Sequence, residues 1–347
     1  METLTIQHAN ATPAQTWNKL NINDITVVLP AAPEHPTSEV PEDLASIEMG
    51  AGAELSAWID ASTLDRELHV VAPGDQTEII IRVGAGEIAA HDIRVGEGAS
   101  VRIALVASTE MDAEGVSALA LRIDAQENAH VSLDALTSMG RGMEYYYSMG
   151  TRFADGVTFE GAHYMLGGKL CVMGVCGDLV GKASTWENNV RYLAGRDERL
   201  DMNYIARHRG EESKCNLDFN GVLSENAHKR LADTIDLIHG AKGADGLENE
   251  TVLVTGDDVI NMALPSVLCR EDDVAGDHGA TIGSIAPEQL TFMENRGLSL
   301  ADAEKLFTRS VFDAAMTRVP EARAAILAAA HKVLGADAVE ELEAEHE

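Results

Sequence analysis

The chain has 347 residues, of which 45% are apolar and 24% charged, and its formal net charge is −31. This composition is typical of a globular protein of about two domains and excludes wholesale disorder. The strong negative charge argues against binding along a nucleic-acid backbone or on an anionic membrane surface. The first residues show no basic start followed by an apolar run, so we expect no secretory signal and predict a cytoplasmic protein.

The sequence divides into three segments, of which the first covers residues 1–50 and is predicted to be a lead-in with a short helix near Trp17. Residues 51–285 consist of short β-branched runs separated by Gly, Asp, Asn and Glu, which is typical of strands and turns. Polar turns precede strands in a similar way at residues 97–101 and 127–131, which is a weak repeat. Regular short strands favour a sandwich, a barrel or a parallel β-helix, and the length of the block favours the stacked coils of the β-helix. Such a helix leaves an open end that must be capped or paired with a partner.

The third segment, residues 286–347, is predicted to be a helical module. Pro287 suits the first turn of a helix, and Ser299 with Asp302 three residues later forms a capping-box pattern for a second helix. Pro320 interrupts the pattern, and residues 321–347 are predicted to form one final alanine-rich helix.

Two glycine motifs resemble nucleotide-binding loops, but neither is complete. Residues 83–89 match G-x-G-x-x-A, yet the chain then returns to strand, so the helix that would bind a pyrophosphate is absent and a β-turn is the preferred interpretation. Residues 181–184 lack the glycine spacing and the Ser or Thr of a Walker motif. We therefore expect no nucleotide to be bound by this chain, and any ATP hydrolysis to occur in a partner.

The four cysteines are too few for a disulfide framework in a chain of this length, and no CxxC pair indicates a zinc knuckle. Cys171 and Cys176 lie in an apolar stretch, and they and Cys215 are predicted to be buried free thiols.

The densest group of polar side chains with ligand chemistry spans residues 239–283. Imidazole and carboxylate groups are competent ligands for iron, and a thiolate adds a softer one. A solvated acidic loop is the alternative interpretation, and it is preferred for Asp272, Asp273 and Asp277. The candidate metal ligands are His239, Glu248, Glu250, Cys269 and His278, although for His278 the default interpretation from the residues alone is a core or surface histidine.

Residues 264–283 read Leu-Pro-Ser-Val-Leu-Cys-Arg-Glu-Asp-Asp-Val-Ala-Gly-Asp-His-Gly-Ala-Thr-Ile-Gly, and this stretch resembles the signature of the SufB/SufD family. The continuation at 287–304 and the upstream stretch 234–244 resemble the family too. These proteins are scaffold subunits of the SUF iron–sulfur cluster assembly system. The resemblance implies a mainly β protein with a parallel β-helix core, at 51–285, and a helical C-terminal module. It also implies docking of an ABC-type ATPase, SufC, on that module, and pairing of two β-helices as a homodimer or a SufB/SufD-type heterodimer.

The family histidine that precedes Gly-Ala-Thr matches His278, which the resemblance places near the dimer interface where a transient iron–sulfur cluster assembles. B-type members carry a cysteine where this chain has Glu250, so the chain resembles a D-type or minimal-system member, and these two alternatives stay open. Cys269 is the nearest thiol to His278, and its position in an apolar strand favours a structural role.

The resemblance implies a noncatalytic scaffold that assembles a nascent cluster and passes it to apo-proteins or carriers. The alternative is an interaction subunit that binds no cluster and recruits or activates the ATPase beside a B-type scaffold. A β-helical carbohydrate-active enzyme is a third interpretation, which the 4% aromatic content disfavours because sugar sites stack on aromatic rings.

Overall fold

The computed structural model describes residues 2–33 and 38–346. The chain begins with a two-stranded antiparallel sheet of β1 (Thr3–Ala9) and β2 (Ile25–Pro30), followed by helix α1 (Ala53–Ser62). The residues around Trp17 form turns, so the short helix expected there is wrong. The side chain of Asn23 accepts a hydrogen bond from the Trp17 backbone N–H at 2.9 Å. Such side-chain bonds to the backbone compete with helix formation.

The main body consists of two parallel sheets, and within the described residues each sheet has eight strands. The strands alternate between the sheets along the chain. The first sheet contains β3 (Arg66–Val71), β5 (Ile88–Val95), β7 (Glu114–Ala125), β9 (Gly142–Phe153), β11 (Leu170–Leu179), β13 (Arg199–His208), β15 (His228–Leu237) and β17 (Ile260–Cys269). The second contains β4 (Gln76–Val83), β6 (Ser100–Ser108), β8 (His130–Ser138), β10 (Thr158–Met165), β12 (Thr185–Ala194), β14 (Lys214–Leu223), β16 (Asp245–Val254) and β18 (Ala275–Gly283).

Each strand between the two ends pairs with the strand one coil earlier and the strand one coil later, always in parallel. The two stretches whose similarity suggested a repeat are successive coils, because Val101 pairs with Val131. The predicted parallel β-helix is therefore confirmed, and the sandwich and barrel alternatives are excluded.

The turns that precede these strands follow from the sequence. Gly98 and Asn128 occupy the same turn position in successive coils and have positive φ angles of 62° and 56°. Glycine and asparagine adopt this left-handed conformation more readily than other residues. Each donates its backbone N–H to a carbonyl of the next coil, and the alanine that follows each of them is buried. The turns therefore stack along one edge of the β-helix.

Side chains that point between the two sheets form the core. Alternate residues of each strand face inward, as the two-residue period of a strand requires. The few aromatic residues are concentrated at these inward positions, where their rings fill the middle coils. The fully buried aromatic side chains of this core are Tyr145, Tyr147, Phe153, Phe159, Trp186, Tyr192, Tyr204 and Phe219.

Four helices follow the β-helix: α2 (Pro287–Glu294), α3 (Leu300–Arg318), α4 (Arg323–Leu334) and α5 (Ala336–Glu345). The predicted capping box is present, since the Ser299 side chain accepts from the Asp302 N–H and the Asp302 side chain accepts from the Ser299 N–H. The single final helix predicted over 321–347 is instead two helices. They are separated at Gly335, whose φ of 90° a helix cannot continue through. Glu347 lies outside the described residues.

The helices pack on the outer face of the second sheet. Phe312 and its apolar neighbours on α3 and α4 form one cluster with outward side chains of the sheet, including Leu136 and Tyr164. Two arginines extend this contact: Arg102 of β6 donates to the Glu321 carboxylate at 2.6 Å, and Arg318 donates to Asp134 of β8 at 2.9 Å. Among the described helices, none combines the length and the apolar character needed to cross a bilayer.

Candidate functional site

The β-helix ends at β17 and β18, which pair with β15 and β16 on one side only. No described strand pairs with the outer edge of either one. Every residue of β18 is exposed or half-buried, although its inward positions continue the face that is buried in earlier coils. We call this last coil, together with the inward side chains of β15 and β16 beneath it, the C-terminal mouth.

The inward side chains beneath the last coil are charged rather than apolar. Lys229 and Asp233 lie on β15 in the same alternation as the core residues of that strand, and Glu248 and Glu250 lie on β16. Lys229 donates to the Glu250 carboxylate, and the two side chains are 0% and 1% exposed. The Tyr192 hydroxyl donates to the same carboxylate at 2.9 Å. Glu250, one of the predicted ligands, is therefore held by two partners.

Burial of several carboxyl groups with one ammonium group changes their pKa values. Burial and the nearby Asp233 and Glu250 raise the pKa of Glu248 to about 9. Burial and the charge of Glu250 raise the pKa of Asp233 to about 7. Burial also lowers the pKa of Lys229, against the attraction of Glu250. The Glu248 carboxyl is thus neutral at neutral pH, and it can ligate a cation only after losing its proton.

His278 lies at the exposed surface of the C-terminal mouth. In the register of the sheet it pairs with Glu248, and Ala280 pairs with Glu250. Paired residues of neighbouring strands point to the same face and lie about 5 Å apart. The register therefore places three of the five predicted ligands at neighbouring inward positions, with His278 beside Glu248 and Glu250 one pair further along, and their ligand atoms do not all lie within 4.8 Å of one another.

The other two predicted ligands lie next to the mouth around Glu271, Cys269 at the end of β17 and His239 in the loop after β15. The Cys269 thiol donates to the Glu271 carbonyl at 3.2 Å, and His239 Nδ1 lies 3.3 Å from the Glu271 carboxylate. That carboxylate accepts two backbone N–H bonds, from Gly240 and Asp272, which lower the pKa of Glu271. Cys269 is exposed at the end of its strand, which differs from the buried position expected of a structural cysteine.

The remaining predictions on single residues agree with the structure. Asp272, Asp273 and Asp277 are exposed, as expected for a solvated acidic segment. Cys171, Cys176 and Cys215 are buried free thiols. Burial raises the pKa of Cys171 and of Cys215 to about 12, so neither is a thiolate at neutral pH. The glycine motif at 83–89 forms a turn between two strands of the β-helix.

Two groups were missed from the sequence. Lys229 and Asp233 are charged residues in the same two-residue alternation as the apolar Leu231, Ile235 and Leu237, and this alternation was the available signal. The second group consists of Glu67, His69 and His91. In the described part of the chain it is the one set of three His, Cys, Asp or Glu side chains whose ligand atoms all lie within 4.8 Å of one another.

Comparison with known sequences shows the family to which the chain belongs. A family model described as "SUF system FeS cluster assembly, SufBD core domain" matches residues 80–311, which is more than half of the chain. The chain belongs to the SufBD family. The matched region includes most of the β-helix, all of the C-terminal mouth and the first helices of the C-terminal module.

Individual SufBD relatives are more distant. The iron–sulfur cluster assembly protein SufD of Escherichia coli is 22% identical over 216 residues, which cover 62% of this chain and 51% of that protein. SufD of Bacillus subtilis is 28% identical over 124 residues, covering 35% of this chain and 28% of that protein. A SufBD family protein of Mycobacterium leprae is 24% identical, with 51% of each chain covered. The chain thus spans about half or less of the length of these curated relatives. Family membership connects it with iron–sulfur cluster assembly by the SUF system.

Proposed function

We propose that this SufBD protein is a noncatalytic scaffold that holds a nascent iron–sulfur cluster at its C-terminal mouth and passes it to apo-proteins or carriers. The observation that carries the proposal is the position of His278, exposed on the inward face of the terminal strand β18 and directly beside Glu248. The cluster is the cargo of this site rather than a resident cofactor.

The donor set suits temporary holding. Imidazole and carboxylate groups bind iron less firmly than the thiolates that retain a resident cluster, because thiolates are the softer ligands. Glu248 and Glu250 lie beneath His278, while Cys269 is an exposed thiol on the neighbouring strand. A site of this kind can accept a cluster and release it again.

The unpaired strand edges support the second part of the proposal, which is pairing with another β-helix. An exposed strand edge presents free backbone N–H and C=O groups, and pairing with a second chain satisfies them. A second copy or a SufB-type chain placed on β17 and β18 would cover His278. The ligands would then lie at the interface of the two β-helices.

The C-terminal helices support docking of an ABC-type ATPase of the SufC kind. Apolar side chains on α2 and α3 remain exposed although the opposite faces of the helices are packed on the sheet. Exposed apolar groups of this kind mark protein interaction surfaces. They are Phe292, Leu300, Leu306 and Phe307, with exposed fractions between 37% and 57%.

A second function has one observation in its favour. Among the described cysteines only Cys269 is exposed, and Glu250 is already engaged by Lys229 and Tyr192. A carboxylate cannot receive persulfide sulfur. If a SufB-type partner supplies the thiol and the other ligands, this chain is an interaction subunit that recruits or activates the ATPase.

The test is anaerobic co-expression with the candidate ATPase, followed by assay of iron and acid-labile sulfide in the purified complex. We expect the wild-type complex to carry both, and His278→Ala to lose most of them while remaining folded, because this side chain is exposed. His8→Ala is the matched control, since His8 is an exposed histidine of the N-terminal sheet. A stable complex without iron and sulfide favours the interaction subunit, and full loading of the His278→Ala complex contradicts the site.

A further inference from the structure

The opposite end of the β-helix also has an open mouth lined with ligand side chains. Strands β3 and β4 form the first coil, and no described strand pairs with their outer edges. Glu67 and His69 lie on β3, and His91 lies on β5, where it pairs with Glu67. Inward residues of β5 alternate with outward ones, and His91 falls between the core residues Ala89 and Ile93. All three side chains therefore face the interior at this N-terminal mouth.

Three ligand atoms of this group form a compact triangle. His69 Nε2 lies 3.1 Å from His91 Nδ1, and Glu67 Oε2 lies 3.5 Å from the first and 3.8 Å from the second. Ligands at about 2.0–2.1 Å from a tetrahedral zinc ion are separated by roughly 3.3–3.4 Å. The observed triangle brackets this separation, so an ion can bind all three atoms after only small side-chain rotations.

The side chains around Glu67, His69 and His91 fit a metal site better than a role of these three residues in core packing. The inward neighbours on the following strands are apolar, namely Ile93, Leu121 and Ile123, so the core requires no polar group here. His91 is 7% exposed, and its Nδ1 faces the Nε2 of His69 at 3.1 Å. The side chain of Glu67 is 62% exposed, so solvent reaches the group and can supply a fourth ligand.

We propose that Glu67, His69 and His91 bind one divalent first-row transition-metal ion at the N-terminal mouth, with water completing its coordination. His69 binds through Nε2, His91 through Nδ1 and Glu67 through one carboxylate oxygen. Two imidazoles and one carboxylate suit Zn²⁺, Fe²⁺ or Co²⁺, whereas Mg²⁺ and Ca²⁺ prefer sites made of oxygen ligands. The ion replaces the contact between the two histidine nitrogens, and the neutral imidazole whose proton lay on its coordinating nitrogen takes the tautomer with that proton on its other ring nitrogen.

This site is separate from the cluster site of the proposed function. The two mouths lie at opposite ends of both sheets, with the packed aromatic core between them. The ligands of one site can therefore be substituted without altering the other site. A test in a His278→Ala, Cys269→Ala background removes the exposed imidazole and thiol of the C-terminal mouth, and comparing Glu67→Gln with its parent in that background reports on the N-terminal mouth alone, so its outcome does not depend on the proposed function.

The experiment is a titration of the full, tag-free chain in that background with Co²⁺, followed by visible absorption, with Zn²⁺ and Mg²⁺ as competitors. We expect one equivalent of Co²⁺ to give the intense bands of four-coordinate cobalt, Zn²⁺ to displace it, and excess Mg²⁺ to have no effect. Glu67→Gln and His69→Ala should each weaken binding by about tenfold or more. His8→Ala is the control, because His8 also lies against a carboxylate, Asp24 at 2.8 Å, and should bind Co²⁺ like the parent.

If a histidine variant fails to fold, Glu67→Gln still tests the metal site. The Glu67 side chain is largely exposed, and circular dichroism can verify that the variant is folded. No cobalt bands in the parent protein, or unchanged binding in folded Glu67→Gln and His69→Ala, would overturn the assignment. Displacement of Co²⁺ by Mg²⁺ as readily as by Zn²⁺ would also overturn it.

Discussion

Glu248→Gln tests whether the buried carboxyl of the C-terminal mouth is neutral in the folded protein. Glutamine has the shape of a protonated glutamate but cannot lose a proton. In the folded chain the pKa of Glu248 is raised to about 9, whereas the ordinary value is 4.5. Between these pH values the folded state retains a proton that the unfolded state has released. The wild-type free energy of unfolding therefore contains a contribution that falls as pH rises.

The size of this contribution follows from the linkage relation. One retained proton changes the free energy of unfolding by about 1.4 kcal/mol per pH unit. From pH 6 to pH 8, wild type should lose up to about 3 kcal/mol relative to Glu248→Gln through this carboxyl alone. Other groups titrate in the same range, but they are common to both proteins and largely cancel in the difference.

The assay is urea unfolding of both proteins at pH 6, 7 and 8, followed by far-ultraviolet circular dichroism. Glu187→Gln on β12 is the control, because Glu187 is exposed and its variant should run parallel to wild type at every pH. A difference between Glu248→Gln and wild type that stays constant from pH 6 to pH 8 would show that Glu248 is already ionised in the folded chain.

Two further variants test the charged cluster and the helical module. Lys229→Met leaves the Glu250 carboxylate buried without its counter-charge and should lower the free energy of unfolding by about 3–5 kcal/mol. Lys169→Met removes an exposed ion pair and should change it by less than about 1 kcal/mol in the same urea titration. Equal losses of unfolding free energy in Lys229→Met and Lys169→Met would contradict the expectation that the loss depends on burial. Leu306→Glu places a charge on the exposed apolar surface of α3 and should abolish co-purification of the ATPase, whereas Val333→Glu on α4 should not. Retention of the ATPase by Leu306→Glu would reject this surface as its docking site.

Features with local causes could be predicted from the sequence. The capping box at Ser299 and the turns at Gly98 and Asn128 depend on a few adjacent residues, so their patterns are readable in the chain. The helix expected near Trp17 was wrong because hydrogen bonds to the side chain of Asn23 stabilise turns there. The break at Gly335 was missed because alanine-rich residues on both sides favour helix.

The chemistry of the two mouths depends on register and could be predicted only in part. The resemblance directed attention to His278 and Glu250, but nothing local to Glu250 indicates that Lys229 lies against it, because the two are on different sheets. At the other end, Glu67 and His69 are two residues apart and therefore share a face of their strand. Their partner His91 joins them only through the parallel pairing of β3 with β5.

The stacked turns have a consequence for how this molecule can change in length. Thr185 pairs with Lys214 and Lys214 pairs with Asp245, so each coil adds about 30 residues and ends in the same turn geometry. Removing one residue within a strand would turn the side chains on one side of the deletion in that strand to the opposite face. Removing one whole coil would keep the alternation intact and would shorten the distance between the two ends. The coil is therefore the natural unit in which relatives of this protein can gain or lose length while the chemistry at each end is kept.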